Sequence, residues 1–160
     1  MRFRWLMVVC VLTLMTSAAY RPLLDTGFGL ADPVMVMIAW FSLSDRLSRI
    51  FVALAVVSAV RIWLGIAELP DTVIPLLGIV ITVRCLRLVL DPFHPMKRFQ
   101  ILLPAFLCGL ILQRVLVVGS VAGAGYLMFF SVIFTALVAA LLLPILDLVS
   151  PLLRSARYPL

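Results

Sequence analysis

The chain has 160 residues, of which 65% are hydrophobic and only 12% charged, and its mean hydropathy is +1.26. Soluble domains are nearer half apolar and a quarter charged, and a chain of this length cannot bury so much apolar surface in a water-soluble core. The composition therefore excludes an ordinary soluble domain and predicts a single integral membrane domain over residues 1–160.

The net charge of +6 does not indicate a nucleic-acid partner, because the basic residues are scattered between apolar segments and form no patch with interleaved aromatics. In a membrane chain, Lys and Arg set the orientation instead. The three cysteines, Cys10, Cys85 and Cys108, fall within apolar stretches. They are interpreted as small hydrophobic residues rather than as a disulfide framework or a metal site.

Six apolar segments predict an all-α bundle of six transmembrane helices. A spanning helix needs roughly 20 apolar residues, so the first two segments are the weakest candidates and could be tilted or partly re-entrant. Proline and glycine mark most of the connectors between them as turns. The predicted helices are Trp5–Tyr20, Pro33–Leu43, Ile50–Ala67, Val73–Leu90, Ile101–Val118 and Gly125–Val149.

The start of the chain has a second interpretation. Residues 1–19 combine a basic front, an apolar middle and the small residues Ser17, Ala18 and Ala19 at their end. This pattern also describes a cleaved signal peptide. Cleavage would leave five spans instead of six.

The distribution of charge predicts that both ends of the chain lie in the cytoplasm, since cytoplasmic loops are enriched in Lys and Arg. With six spans and a cytoplasmic N-terminus, the outer segments contain one basic residue, Arg21, and several acids. The cytoplasmic segments then hold Arg2, Arg4, Arg46, Arg49, Lys97, Arg98, Arg154 and Arg157.

Arg61 stands inside the third apolar segment, where a charge costs about 2.5–3.5 kcal/mol on insertion scales and normally faces the bundle interior. Ser58 and Gly65 lie three residues before and four after it, which predicts a small, polar stripe on one helix face. Arg114 lies at a similar depth in the fifth segment. Arg61, Arg114, Trp63 and Gly65 are therefore a candidate partner-binding or anion-binding site.

The alternative for Arg61 and Arg114 is structural. Glu68 and Asp71, at the outer end of the third helix, are candidate counter-charges, and buried charges in membranes are normally paired. On this interpretation the two arginines only hold the bundle together.

A second group of charges is predicted near the cytoplasmic end of the fourth helix. Arg84, Arg87 and Asp91 share a face, and Asp147 approaches from the sixth helix. Structural ion pairs, Arg87–Asp91 or Arg84–Asp147, are the simplest explanation, with headgroup contact as the alternative.

No motif in the sequence predicts an enzyme or a cofactor. His94 is the one histidine of the chain, and Asp91 with His94 is too few ligands for zinc. There is no GxSxG, no P-loop and no paired-carboxylate motif within the apolar segments. The sequence therefore favours a non-catalytic protein with neither metal nor cofactor.

The stretch from Asp32 to Arg87 resembles the rod shape-determining protein MreD family. "DPVMVMIAWFSLSDR" is similar to the family's proline-led second helix, which ends in a Trp and a basic turn. "VVSAVRIWLGIAELPDTVIPLLGIVITVRCLR" is similar to its third and fourth helices. "LPILDLVSPLLRSAR" fits its proline-bearing last helix and basic tail. One departure is that "SAVR" occupies the place of a Gly-rich segment leading to an acid, so that Arg61 stands where an acid is expected.

The resemblance implies a fold similar to the substrate-binding subunits of energy-coupling-factor transporters, and a non-catalytic role in the cell inner membrane. It implies binding of the single-span partner MreC and support of the peptidoglycan elongation complex. The alternative is a vitamin-binding transporter subunit of the same architecture, with an outer pocket lined by Arg61, Arg114 and Trp63. A third hypothesis is an assembly factor or lipid-headgroup binder for another membrane complex.

Overall fold

The computed structural model describes residues 3–25, 32–90, 95–119 and 125–153, and within these ranges the chain is helical with no strand. The predicted all-α class is therefore confirmed. A π-helical segment, Arg114–Val118, directly follows the fifth helix. The described helices are α1 Phe3–Asp25, α2 Pro33–Ser44, α3 Leu47–Trp63, α4 Leu69–Arg87, α5 Pro95–Gln113 and α6 Gly125–Leu153.

Local chemistry explains where several helices begin and end. The Asp32 carboxylate accepts a hydrogen bond from the Val34 backbone N–H at 2.9 Å and so caps α2, with proline in the first turn. The start of α4 lies four residues before the predicted Val73, because Glu68 is extended and the first turn contains a proline. The π-helical segment ends at Gly119, whose φ of 72° suits glycine.

The third helix is displaced toward the N-terminus relative to its predicted range of Ile50–Ala67. It begins at Leu47 and ends at Trp63, although the apolar pattern continues to Ala67. Gly65, with φ of 64°, lies beyond the helix end in the turn toward α4. The prediction that Gly65 shares a helix face with Arg61 is therefore wrong, because a glycine in the left-handed region terminates the helix.

Helix α2 is the centre of the bundle. Its eleven residues from Pro33 to Leu43 are all buried, and α2 packs against every other helix. A helix that is apolar all round is expected in such a position. Twelve residues extend only about 18 Å, so α2 is much shorter than the apolar thickness of a bilayer, about 30 Å.

Helices α4 and α5 form the closest pair, and two glycines make that approach possible. A Cβ added to Gly109 would lie 2.8 Å from the backbone oxygen of Pro75 and 2.9 Å from Cγ1 of Ile79. A Cβ added to Gly78 would lie 3.3 Å from Cα of Gly109. Small residues at helix crossings are the usual device for packing in lipid, where hydrophobic drive between helices is absent.

The helices alternate in direction, which divides the polar contacts between two ends of the bundle. At one end, Trp5 and Arg84 both contact Asp45, and Arg98 contacts Asp147. The starts of α1 and α5 therefore lie beside the ends of α2, α4 and α6. We call this end of the bundle the Asp45 end. The opposite Asp32 end holds the start of α2 together with the last turn of α3.

Three described helical stretches are long and apolar enough to cross a membrane: Leu69–Arg87, Met96–Val117 and Met128–Leu148. Two shorter apolar stretches, Trp5–Tyr20 and Pro33–Ser44, accompany them. These lengths indicate a membrane protein, whereas the six-span count remains a prediction.

Candidate functional site: a buried ion pair at the Asp32 end

Arg61 forms a buried ion pair with Asp32. Its Nη2 lies 2.8 Å from Oδ2 of the carboxylate, and the two side chains are only 5% and 7% exposed. The contact joins the last turn of α3 to the start of α2. Because both charged groups are withdrawn from the surface, the pair neutralises the arginine inside the protein rather than presenting a free cation to a ligand.

The two carboxylate oxygens of Asp32 make different contacts. Oδ1 caps α2 by accepting from the Val34 N–H, and Oδ2 binds the guanidinium of Arg61. The helix N-terminus carries a partial positive charge, so it stabilises the same carboxylate that the arginine pairs with. The sequence "ADPV" therefore builds the start of the central helix and the anionic half of the ion pair with one residue.

An aromatic ring from α1 completes the surroundings of the arginine. Cζ of Arg61 lies 5.1 Å from the centroid of the Tyr20 ring, which is the geometry of a cation–π contact. Three elements thus meet at Arg61: α1 through Tyr20, α2 through Asp32, and α3 itself.

The layer beneath this contact is also polar. Ser17 and Ser58 each precede their contact residue by three positions on α1 and α3, which run parallel and pack together. The Ser58 hydroxyl donates to the backbone oxygen of Leu54 at 2.8 Å. Nε of Arg61 and the hydroxyl of Ser17 are buried without a hydrogen-bond partner. Helix α3 therefore faces α1 through a buried polar stripe of Ser58 and Arg61. These two residues share a helix face as the sequence predicted.

The counter-charge of Arg61 was predicted wrongly. The sequence suggested Glu68 or Asp71, but Glu68 is an exposed N-cap without a side-chain cap bond, and Asp71 lies half-buried in the first turn of α4. Asp32 is distant in the sequence and reaches Arg61 only because α2 and α3 pack side by side. The Asp-Pro pair at the start of an apolar run was the one signal that could have indicated it, as an N-cap.

The other members of the predicted site are not gathered around Arg61. Trp63 is 78% exposed, so it does not line an enclosed pocket with the buried arginine. Gly65 lies in an exposed turn with no atom within 4 Å of an added Cβ. Arg114 is half-buried at the start of the π-helical segment and, among the described residues, has no carboxylate within 4 Å. The pocket suggested for an anionic small molecule is therefore not assembled by these residues.

At the opposite end of the bundle, Asp45 ties three helices to the end of α2. Its carboxylate accepts from Nε1 of Trp5 at 3.2 Å and from Arg49 at 2.9 Å, and its backbone oxygen accepts from the guanidinium of Arg84. Cζ of Arg49 also lies 5.9 Å from the centroid of the Trp5 ring. Sequence reasoning missed Asp45 and Trp5, because their separation of 40 residues has no local pattern.

Asp147 organises a second cluster of the same kind. It accepts from Nε1 of Trp40 at 2.9 Å and from Arg98 at 2.6 Å, which joins α6 to α2 and α5. The predicted Arg84–Asp147 pair is replaced by Arg98–Asp147, since Arg84 is directed to the backbone of Asp45. Among the described contacts, Asp45 and Asp147 thus each accept from an indole N–H and from an arginine.

The predicted Arg87–Asp91 pair involves a residue outside the described part of the chain. Arg87 itself is the last residue of α4 and is partly exposed. Among the described residues, no group of three or more His, Cys, Asp or Glu side chains could hold a metal ion.

No family model, curated protein or solved structure matches the chain. The fold and the ion-pair geometry therefore carry the functional interpretation, together with the resemblance that the sequence itself presents.

Proposed function

We propose that this protein is a six-pass, non-catalytic scaffold of the inner membrane, of the MreD type, which binds a single-span partner through contacts between helices within the membrane and supports cell-wall elongation. The observation that supports this most directly is the closed Asp32–Arg61 pair. The ion pair between Arg61 and Asp32 would have to break before the guanidinium could bind an anionic substrate. A structural pair is consistent with a scaffold and counts against the vitamin-binding alternative.

The outward face of α3 is where the partner helix would lie. Ala55 and Ala59 are exposed at a spacing of four, between Phe51 and Trp63, which are 50% and 78% exposed. The pair of alanines lies on the opposite side of α3 from the buried Arg61. Small residues allow two backbones to approach closely, and large flanking side chains then pack around the crossing.

Among the described residues, the outward faces of the other helices lack two exposed small residues at a spacing of four. The exposed positions of α6 are mostly large, and they include Phe130, Ile133, Leu137, Leu141 and Ile145. Such side chains suit acyl chains. The inner face of α3 is also fixed by a buried ion pair, so α3 offers a rigid surface at the position where the partner is proposed to bind.

Site-specific photo-crosslinking in cells tests the partner surface. A photoreactive residue at Ala55 or Ala59 is expected to give one discrete product, containing a single-span membrane protein whose depletion causes the same loss of rod shape as depletion of this protein. The matched control is the same residue at Leu137 on α6, which should give no discrete product. Equal products at the α3 and α6 positions, or unchanged cell shape on depletion, would contradict the proposal.

The proposed topology has its own test. In a cysteine-free background, Asp71→Cys at the Asp32 end should react with a membrane-impermeant maleimide in intact cells, whereas Lys97→Cys at the Asp45 end should react only after permeabilisation. Labelling of Lys97→Cys in intact cells would refute the cytoplasmic placement of the Asp45 end. Native mass spectrometry of the purified protein separates the two functions, because a stoichiometric bound vitamin-like molecule would favour the transporter subunit over the scaffold.

A further inference from the structure

The Asp45 end carries more positive charge than its described carboxylates compensate. Asp45 is paired with Arg49 and Asp147 is paired with Arg98. Arg46 flanks Asp45, and three cations at the junction of α4 and α5 have no carboxylate within 4 Å among the described residues. We call these three the basic rim: Arg84, Arg87 and Lys97.

The basic rim lies where α4 ends and α5 begins. Arg84 and Arg87 occupy the last turn of α4, and Lys97 occupies the first turn of α5. The two helices are antiparallel and closely packed, so their charges share one end of the bundle. The C-terminus of α4 also favours cations, because the helix dipole places partial negative charge there.

The three cations differ in accessibility. Lys97 is exposed and Arg87 is partly exposed, so both can reach a ligand. Arg84 donates to the backbone oxygen of Asp45, and its Nε is buried without a hydrogen-bond partner. Arg84 therefore adds positive potential to the rim without offering a free surface for contact.

Large apolar side chains accompany these cations and are almost fully exposed. Leu88 is 88% exposed, Val89 is 83% exposed and Met96 is 70% exposed. A soluble polyanion would leave these side chains in water. A phospholipid covers both features at once, since its phosphate meets the cations and its acyl chains meet the apolar side chains.

We propose that the basic rim binds the headgroup phosphate of an anionic phospholipid, with Lys97 and Arg87 as the contacting residues and Leu88, Val89 and Met96 beside the acyl chains. The proposal rests on the membrane placement proposed above, but not on the partner of α3. A failure to crosslink a partner to α3 would therefore not contradict the lipid site, and a failure to bind lipid would not contradict the scaffold proposal.

Lipid retention by the purified full chain tests the proposal. The protein is incubated in detergent with phosphatidylglycerol, and the bound lipid is counted by native mass spectrometry. Removing one cation near a membrane surface is expected to weaken retention about fivefold, so Arg87→Gln and Lys97→Gln should each show this loss. Arg87→Lys and Lys97→Arg keep the charge and should retain lipid.

The matched control is Arg114→Gln, which removes one positive charge from the opposite end of the bundle and should retain lipid like the unaltered chain. Phosphatidylcholine replaces phosphatidylglycerol in a second arm and should bind at least fivefold more weakly. Glycerol phosphate, added as a soluble competitor, should not displace the lipid. Equal losses in Arg114→Gln and Lys97→Gln, equal retention of both lipids, or displacement by glycerol phosphate would each overturn the lipid site.

Discussion

Removing the charge of Asp32 should destabilise the protein strongly, because it strands Arg61 in the interior. The two groups lie 2.8 Å apart with side chains only 5% and 7% exposed, so water cannot replace the lost carboxylate without opening the Asp32 end. Breaking one member of a buried pair costs about 3–5 kcal/mol. Asp32→Asn should fall near the lower limit, since an amide oxygen can still cap α2.

Asp32→Ala should cost about 1 kcal/mol more than Asp32→Asn, because the alanine also removes the acceptor of the Val34 N–H. Arg61→Met should be destabilising for the reciprocal reason, since it leaves a buried carboxylate without its cation. The double variant Asp32→Asn with Arg61→Met removes both charges. It should be more stable than the sum of the single effects by about 2–3 kcal/mol.

The assay is equilibrium unfolding in mixed micelles, in which a denaturing detergent is titrated and tryptophan fluorescence is followed. Trp5 and Trp40 are both buried and are suitable reporters. The matched control is Asp71→Asn, which removes a carboxylate that the sequence offered as the counter-charge and that has no ion pair in the described structure. It should change the free energy of unfolding by no more than about 0.5 kcal/mol.

Two results would refute this reasoning. In the first, Asp32→Asn is no more destabilising than Asp71→Asn, which would mean that Arg61 finds other stabilisation. In the second, the effects of the Asp32 and Arg61 substitutions simply add, which would mean that the two side chains do not depend on one another.

Three further substitutions, two of them with a matched control, are measured with the same unfolding assay. Gly109→Ala should cost about 1–3 kcal/mol, because its Cβ would lie 2.8 Å from a backbone oxygen of α4, whereas Gly125→Ala, with nothing within 4 Å, should be close to neutral. Equal effects at the two glycines would contradict the close α4–α5 crossing. Trp40→Phe should cost about 1–3 kcal/mol by leaving Asp147 without its indole donor, and Trp63→Phe at the exposed end of α3 should have little effect. A similar loss in both would show that the Trp40 hydrogen bond contributes nothing. Gly119→Ala should cost about 1–2 kcal/mol because a φ of 72° is unfavourable for alanine, and an unchanged unfolding midpoint would contradict the left-handed conformation of Gly119.

The existence of the helices could be predicted from the sequence, because apolar runs separated by Pro and Gly are local signals. The boundary of α3 could not, since the apolar pattern continues past Trp63 and only the left-handed conformation of Gly65 ends the helix. The short α2 looked like the weakest span. In the structure it is the central helix, and complete burial is the reason its sequence is apolar on every side.

The burial of Arg61 could also be predicted, because a charge in an apolar segment seldom faces lipid. Its partner could not. A search along the same helix leads to Glu68 and Asp71, whereas the structure selects Asp32 through the packing of α2 against α3. The Trp5–Asp45 and Trp40–Asp147 contacts were missed for the same reason, since each joins residues that lie 40 or more positions apart in the sequence.

The polar contacts of this bundle are concentrated at the two ends of its central helix, and lipid as a solvent supplies the reason. Apolar burial cannot distinguish one helix neighbour from another when the surrounding acyl chains are equally apolar. Asp32 at the start of α2 selects α3, and Asp45 at its end selects α1 and α4. Each contact satisfies a group that would be costly to leave unpaired, so a misplaced neighbour is penalised. This makes α2 the element that determines which helices lie beside one another, and the outward face of α3 is held in place by the same contacts.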